Sequence, residues 1–173
     1  MAKDEGVQMG RRTALLCKGP ADPVDATDDN DPTCQQLLAT RRWVEALIPL
    51  KDGYGHMLAA SAYDFSGASS GGEDYVYNEA LAANFITRAA QYPKIPYIIG
   101  TDINIDPLDS EVIGLANTSG IIHDLPCDWC PQRVPPTTFL KEGAYEGMTV
   151  GTRIDTILTN FVAGHGCVGF AYG

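Results

Sequence analysis

Residues 95–107 read "IPYIIGTDINIDP". A largely apolar run reaches Gly100 and passes straight into Asp102 and Asn104, with Asp106 and Pro107 behind them. A strand that merely ends needs one turn residue. Here the glycine comes first, and the polar residues follow at the spacing of a strand. In an extended chain residues i and i+2 share a face, so Asp102 and Asn104 are expected side by side. An ionised carboxylate only accepts hydrogen bonds, whereas a carboxamide both donates and accepts. Such a pair can hold a water, a metal or a phosphate, or it can cap a loop. On these residues alone, loop capping is the simpler reading.

The surrounding chain restricts the choice. Its 173 residues suffice for one domain with a core, and 45% hydrophobic with 20% charged residues is ordinary for a globular protein. No apolar run approaches the ~18 residues of a membrane helix. The opening "MAKDEGVQMGRR" lacks the apolar segment of a secretory signal, so an intracellular protein, cytoplasmic or nuclear, is expected. The net charge of −10 argues against a broad basic surface for nucleic acid, although a local patch or a bound cation can offset the field. Five cysteines (Cys17, Cys34, Cys127, Cys130, Cys167) are odd in number and scattered, which fits a reducing compartment rather than a disulfide scaffold.

Hydrophobic periodicity divides the chain into alternating elements. "TALLCK" (13–18) reads as a strand stopped by Gly19-Pro20, and the aspartate-rich stretch 21–33 as an exposed acidic loop. That loop is dense in oxygen ligands but lacks the spacing of a calcium-binding EF-hand. "RRWVEALIPL" (41–50) and "HMLAASAYDF" (56–65) alternate about "KDGYG" and predict a hairpin. Residues 76–92 place Leu81, Phe85, Ile86 and Ala89 at helical spacing and stop before Pro93. Residues 109–125 predict a second helix, capped by Asp109 or Ser110 and broken at Gly120. Segments 135–140 and 152–160, and "GCVGFAY" near the end, read as further strands, with "KEGAYEGMTVG" a loop between the first two. Hairpins, a helix feeding a strand, and more strands indicate a layered mixture of helices and mixed sheet.

The order of these pieces resembles the endonuclease/exonuclease/phosphatase superfamily, which includes deoxyribonuclease-I-like nucleases. The resemblance runs through a Tyr-ending strand, a helix, an apolar strand ending in Asp-x-Asn, a helix, "TTF", a loop and "RID", over about residues 40–165. It implies an α+β fold, a four-layer αββα sandwich of mixed sheets, within a single domain over 1–173. It further implies Mg²⁺ as cofactor and a phosphodiester substrate, nucleic acid among the choices, with no membrane partner. By the same resemblance Asp102 orients or deprotonates the attacking water, Asn104 helps to hold the phosphate or metal, and Asp155 of "RID" orients a catalytic histidine. Tyr63, Ser66 and Arg153 fall at substrate-binding positions, and Asp102 with Asn104 are the metal ligands. The chemistry needs such groups: a carboxylate as base, Mg²⁺ as Lewis acid and a polar clamp for the phosphate.

Three departures accompany the resemblance. Thr101 stands where the family has glycine, and Ser66 where it has Asn or His. The family's early metal-binding Glu and its closing Ser-Asp-His have no counterpart, so the domain is expected to be incomplete at both ends. Removing members of a catalytic unit costs orders of magnitude in rate, which implies an impaired hydrolase. A non-catalytic binding scaffold, or an inactive gene fragment of the same fold, is the alternative. An incomplete sandwich would also expose a sheet edge and self-associate. Simpler readings remain beside these: Asp155 as a buried carboxylate paired with Arg153, Tyr63 as a core aromatic, Cys127-x-x-Cys130 as two reduced thiols rather than zinc ligands, and His165 as a solvated turn residue.

Overall fold

The computed structural model describes residues 21–23, 30–50, 55–66, 71–125, 139–142, 149–152 and 155–166. "TALLCK", Arg153, Cys127, Cys130 and nearly all of "GCVGFAY" lie outside them.

Strand β1 (Asp22–Pro23) precedes helix α1 (Pro32–Ala39), β2 (Trp43–Pro49), β3 (His56–Tyr63), α2 (Glu73–Ala90) and β4 (Tyr97–Asp102). Then follow α3 (Glu111–Thr118), β5 (Ile122–Asp124), β6 (Phe139–Glu142), β7 (Thr149–Thr152), β8 (Asp155–Asn160) and α4 (Phe161–Gly166). A six-stranded sheet runs β1-β2-β3-β4-β8-β5, and β6 with β7 forms a separate antiparallel ribbon. The sheet is mixed: β3 and β4 are parallel, and the other neighbours are antiparallel. The fold is α+β, as the sequence indicates. No helix among the described residues is long and apolar enough to cross a membrane.

The expected hairpin forms, with Trp43 opposite Ala62 and Pro49 opposite His56. Helix α2 then carries the chain back so that β4 lies parallel to β3, as a crossover must. Local chemistry sets the helix ends. Asp31 accepts from the Thr33 and Cys34 amides ahead of Pro32 at the first helical position. The Ser110 hydroxyl accepts from the Ile113 amide, 3.1 Å away. Gly120, at a φ of 72°, ends α3 in the left-handed conformation that glycine adopts without a Cβ penalty.

Two expectations need correction here. The helix over 109–125 is only its first half, because after Gly120 residues 122–124 pair with β8 as a strand. Ile122 is fully buried there, and the sheet offers its backbone partners that a helix end would lack. The 141–151 loop also contributes to pairing, with Lys141 opposite Val150. The acidic stretch supplies β1 at one end and the α1 cap at the other. Helix α1 itself was not read from the sequence, although Asp-Pro before "TCQQLLA" is a recognisable start.

The core lies between the sheet and helices α1 to α3. Leu58, Ala60 and Ala62 of β3 and Tyr97 and Ile99 of β4 meet Leu81, Ala82 and Phe85 of α2, with Trp43 stacked on Phe85 at a centroid separation of 6.1 Å. Inside it sits a polar network. Glu45, on the Trp43 face of β2, is 1% exposed and accepts from Arg88 of α2 at 3.1 Å. The Tyr97 hydroxyl also donates to Glu45, and the Cys34 thiol lies 3.9 Å from it. Arg88 reaches Asp31 as well, at 3.2 Å. Burial works against the Arg88 cation, but the Glu45 carboxylate more than offsets it and holds the guanidinium charged. On β8, Asn160 receives the Tyr97 amide and donates to the carbonyls of Tyr92 and Ile95, setting where β4 begins.

Arg88→Leu should therefore cost about 3–5 kcal/mol, because the Glu45 charge is left buried and unpaired. Urea unfolding measures it. Replacing Glu45 and Arg88 together by apolar residues should recover most of that loss, since no charge is then stranded.

Candidate active site

Strand register brings distant residues into one row. Asp102 is the last residue of β4, and its Cα partners are Tyr63 at the end of β3 and Asp155 at the start of β8. Alternation directs Tyr97, Ile99 and Thr101 to the helix face and Ile98, Gly100 and Asp102 to the opposite one. Tyr63 and Asp155 share the Asp102 face by the same parity. Tyr63 and Asp102 are half-buried, and Asp155 is exposed rather than buried, which corrects the reading of a core carboxylate. Burial first, and the Asp155 carboxylate second, raise the Asp102 pKa above the usual range; the Asn104 amide works the other way.

Asn104 does not lie beside Asp102 on a strand. The chain turns after Asp102, and Asn104 has a φ of 53°, a left-handed conformation that asparagine tolerates better than most residues. Its backbone amide donates to Asp102 Oδ1 at 3.2 Å, so the aspartate caps its own turn. The Asn104 side chain points back across the sheet, and Nδ2 donates to the Asp64 carbonyl at 3.3 Å. Capping and clustering thus coincide: the turn that removes Asn104 from the strand brings it over the end of β3.

Helix α2 fixes both loops at this end. Asn78, fully buried, accepts from the Phe65 amide at 2.7 Å and donates to the carbonyls of Phe65 and Ile103 at 2.9 and 3.0 Å. One side chain therefore ties the segment after β3 to the segment after β4. Arg42, just before β2, closes the same end, donating to the carbonyls of Tyr63 and Asp64 at 3.1 and 2.8 Å. Sequence reasoning missed Asn78 and Arg42. The signal for Asn78 was a polar residue in line with the apolar stripe Leu81, Ala82, Phe85 and Ala89.

Asp64 was missed too. It is fully buried, and both carboxylate oxygens lack a hydrogen-bond partner among the described residues. Its backbone amide donates to the Asp102 carbonyl at 2.9 Å. Burial, then the charge of Asp102, push its carboxyl well above the usual range; Arg42 opposes this and Glu79 adds to it. Its parity with Ala60 and Ala62 was the available signal, since it continues the inward face of β3.

Other expected residues fall elsewhere. Ser66 lies exposed in the turn after β3, and no hydrogen bond among the described residues ties it to Asp102. His165 is exposed but sits in α4 rather than a turn, its ring 3.9 Å from that of Phe161. Among the described residues no three His, Cys, Asp or Glu side chains are grouped to hold a metal ion. The Asp102–Asp155 pair nevertheless suits a hydrated Mg²⁺, which keeps several waters and binds through one or two carboxylates and a substrate phosphate. Their mutual repulsion, visible in the raised Asp102, is what such a cation would relieve.

No protein-family model matches the chain, and no curated protein does. Solved structures do resemble it. The catalytic domain of human nocturnin, with bound sulfate, aligns at a TM-score of 0.50 and 17% identity, over 69% of this chain and 41% of that one. An endonuclease/exonuclease/phosphatase family protein from Bacteroides thetaiotaomicron aligns at 0.49 and 14%, over 69% and 41%. The endonuclease domain of TRAS1, a telomere-specific non-LTR retrotransposon, aligns at 0.47 and 17%, over 70% and 52%. The likeness to the nocturnin catalytic domain is one of fold alone, a layered α+β arrangement of mixed sheet and helices. The chain spans about two-fifths of the nocturnin domain's length.

The raised Asp64 carboxyl has a consequence for stability. Its folded pKa lies above the unfolded value of about 3.9, so the folded state holds the proton more tightly. Its contribution is present at low pH and is lost as pH rises from about 4 through the folded pKa. Asp64→Asn removes that dependence. Denaturant titrations should show the variant gaining on the parent by up to about 1.4 kcal/mol per pH unit within that window. A constant difference between pH 4 and 8 would contradict the burial of an unpaired carboxyl.

Proposed function

We propose that the Tyr63–Asp102–Asp155 row is the centre of a metal-dependent phosphodiester hydrolase of the endonuclease type. The observation that carries this reading is the register itself, which sets two carboxylates on neighbouring strands at one half-open end of the sheet. Their donors are all oxygen, the chemistry that Mg²⁺ selects. Asp102 and Asn104 are the residues that would hold the ion, with Asp155 alongside. Bound Mg²⁺ would supply Lewis-acid stabilisation of charge on the phosphorus.

The chain's own groups take the remaining roles. Asp102 accepts a proton from the attacking water. The turn hydrogen bond from the Asn104 amide engages Asp102 Oδ1 and leaves Oδ2 for the water or the ion. Asn104 Nδ2 carries a second hydrogen for a phosphate oxygen, and the Tyr63 hydroxyl offers another donor. Arg42 and Asn78 act through the loops they hold.

Few anionic ligands imply weak metal binding. Calorimetry should show Mg²⁺ binding that is weak in the parent chain and lost in Asp102→Asn. Hydrolysis of bis(p-nitrophenyl) phosphate should fall about 10²–10⁴-fold in the same variant, the range for removing a general base. Mg²⁺ binding and turnover untouched by Asp102→Asn would overturn the proposal and leave a scaffold that binds without catalysis.

A further inference from the structure

Four buried oxygen atoms near the strand ends have no hydrogen-bond partner among the described residues. They are both carboxylate oxygens of Asp64, Glu79 Oε1 and the Thr101 hydroxyl. Asp64 is fully buried, and Thr101 is 6% exposed. A buried oxygen left without a partner is costly, and here three residues at one end of the sheet carry that cost together.

Register and helix place the three residues on one side. Ala62 of β3 lies opposite Thr101 of β4, and the Asp64 amide continues the pairing to the Asp102 carbonyl at 2.9 Å. Asp64 and Thr101 are therefore diagonal neighbours on the inward face, the one that α2 covers. Glu79 follows Asn78, the residue that ties the segments after both strands to α2. Its Oε2 accepts from the Val112 amide at 2.9 Å, which leaves Oε1 alone, and its charge reaches Asp64. None of these side chains belongs to the Tyr63–Asp102–Asp155 row, which lies on the opposite face of the sheet.

Charge and donor type restrict what these oxygens can take. The charges acting on Asp64 are Asp102 and Glu79, of like sign, and Arg42, of opposite sign. Three carboxylates against one guanidinium leave two negative charges; water does not neutralise them, and a monovalent ion offsets only one. Arg42 is itself engaged by the Tyr63 and Asp64 carbonyls and lies 3.7 Å over the Phe65 ring. Every donor is a hard oxygen, which disfavours metals that seek thiolate or imidazole. Ca²⁺ takes about six to eight oxygens in a flexible geometry, bidentate carboxylates included, whereas Mg²⁺ demands an octahedron and keeps several waters. A closed interior suits the first better than the second.

We infer that Asp64, Glu79 and Thr101 form a Ca²⁺ site between the sheet and α2, separate from the Asp102 row. Both Asp64 oxygens and Glu79 Oε1 supply the anionic ligands, and the Thr101 hydroxyl adds a neutral one. The ion acts on the row only by fixing the segments after β3 and β4. Two carboxylates imply modest affinity, since ligand charge tunes calcium binding. The inference does not depend on the phosphodiester reading.

Thermal unfolding of the full chain in Ca²⁺ alone tests this, with Mg²⁺ as the comparison ion and the chelator-treated chain as reference. Ca²⁺ at about a hundredfold excess over its dissociation constant should raise the midpoint by about 5–10 °C, and Mg²⁺ should raise it less. Asp64→Asn should abolish the Ca²⁺ rise, and Asp102→Asn should keep it. Thr101→Val removes only the hydroxyl. Calorimetry should show weaker Ca²⁺ binding in that variant, with a metal-free midpoint no lower than the parent's, since an unpartnered buried oxygen is gone. No rise in the parent would overturn the site and leave its oxygens to protons and water. A rise lost in Asp102→Asn but kept in Asp64→Asn would assign the ion to the row and overturn it equally. A larger rise with Mg²⁺ would overturn the choice of ion.

Discussion

A buried carboxylate with a buried guanidinium against it organises this fold. Glu45 and Arg88 are each 1% exposed, so neither charge has water to turn to. The pair joins β2 to α2, Tyr97 adds β4, and Asp31 and Cys34 add α1. Four elements that apolar contacts alone could slide past one another are thereby given one relative placement. Oil-like packing tolerates small shifts, whereas a desolvated ion pair does not. The position of α2 matters most, because its other end carries Asn78 and Glu79. The geometry of the half-open end is set from the far side of the core.

That end is built from opposed tendencies. Sheet register forces Asp102 and Asp155 together, and their charges resist it. Asp64 is buried directly beneath, by the parity of β3, with no hydrogen-bond partner for its carboxyl among the described residues. A sheet designed only for stability would hold apolar residues there. Local costs of this kind concentrate where a surface must bind something charged. The hydrogen bonds from Arg42 to the Tyr63 and Asp64 carbonyls, and those of Asn78 to the Phe65 and Ile103 backbone, keep the strand ends in place against the repulsion.

Much of this was legible in the sequence, and the rest was hidden for physical reasons. The hairpin of β2 and β3, helix α2 and the strand into Asp102 follow from period-two and helical patterns, which report burial directly. So does the α+β class. The end of α3 was overextended because "IIHDL" is apolar enough for helix or strand, and only the β8 edge decides between them. Asn104 was misplaced because alternation assumes extended backbone, and a single left-handed residue breaks that rule. Asp102 and Asp155 could be proposed as partners only through a family resemblance, since nothing local in "TDIN" or "RID" records that they face each other. Glu45 and Arg88 each look like a surface charge in isolation. Their burial shows only when the faces of β2 and α2 are taken together.

The strand order also separates assembly from completion. The elements from β2 to β4 meet through a tight hairpin and one helical crossover, so they can form as a local unit. Strand β8 must return from more than fifty positions along the chain to lie between β4 and β5, and such closures are slow compared with local pairing. Until it arrives, Asp102 faces no second carboxylate. The newly folding chain therefore acquires its body before its pair of facing carboxylates. Its carboxylate pair comes into being only when β8, the last of the described strands to enter the sheet, closes against β4.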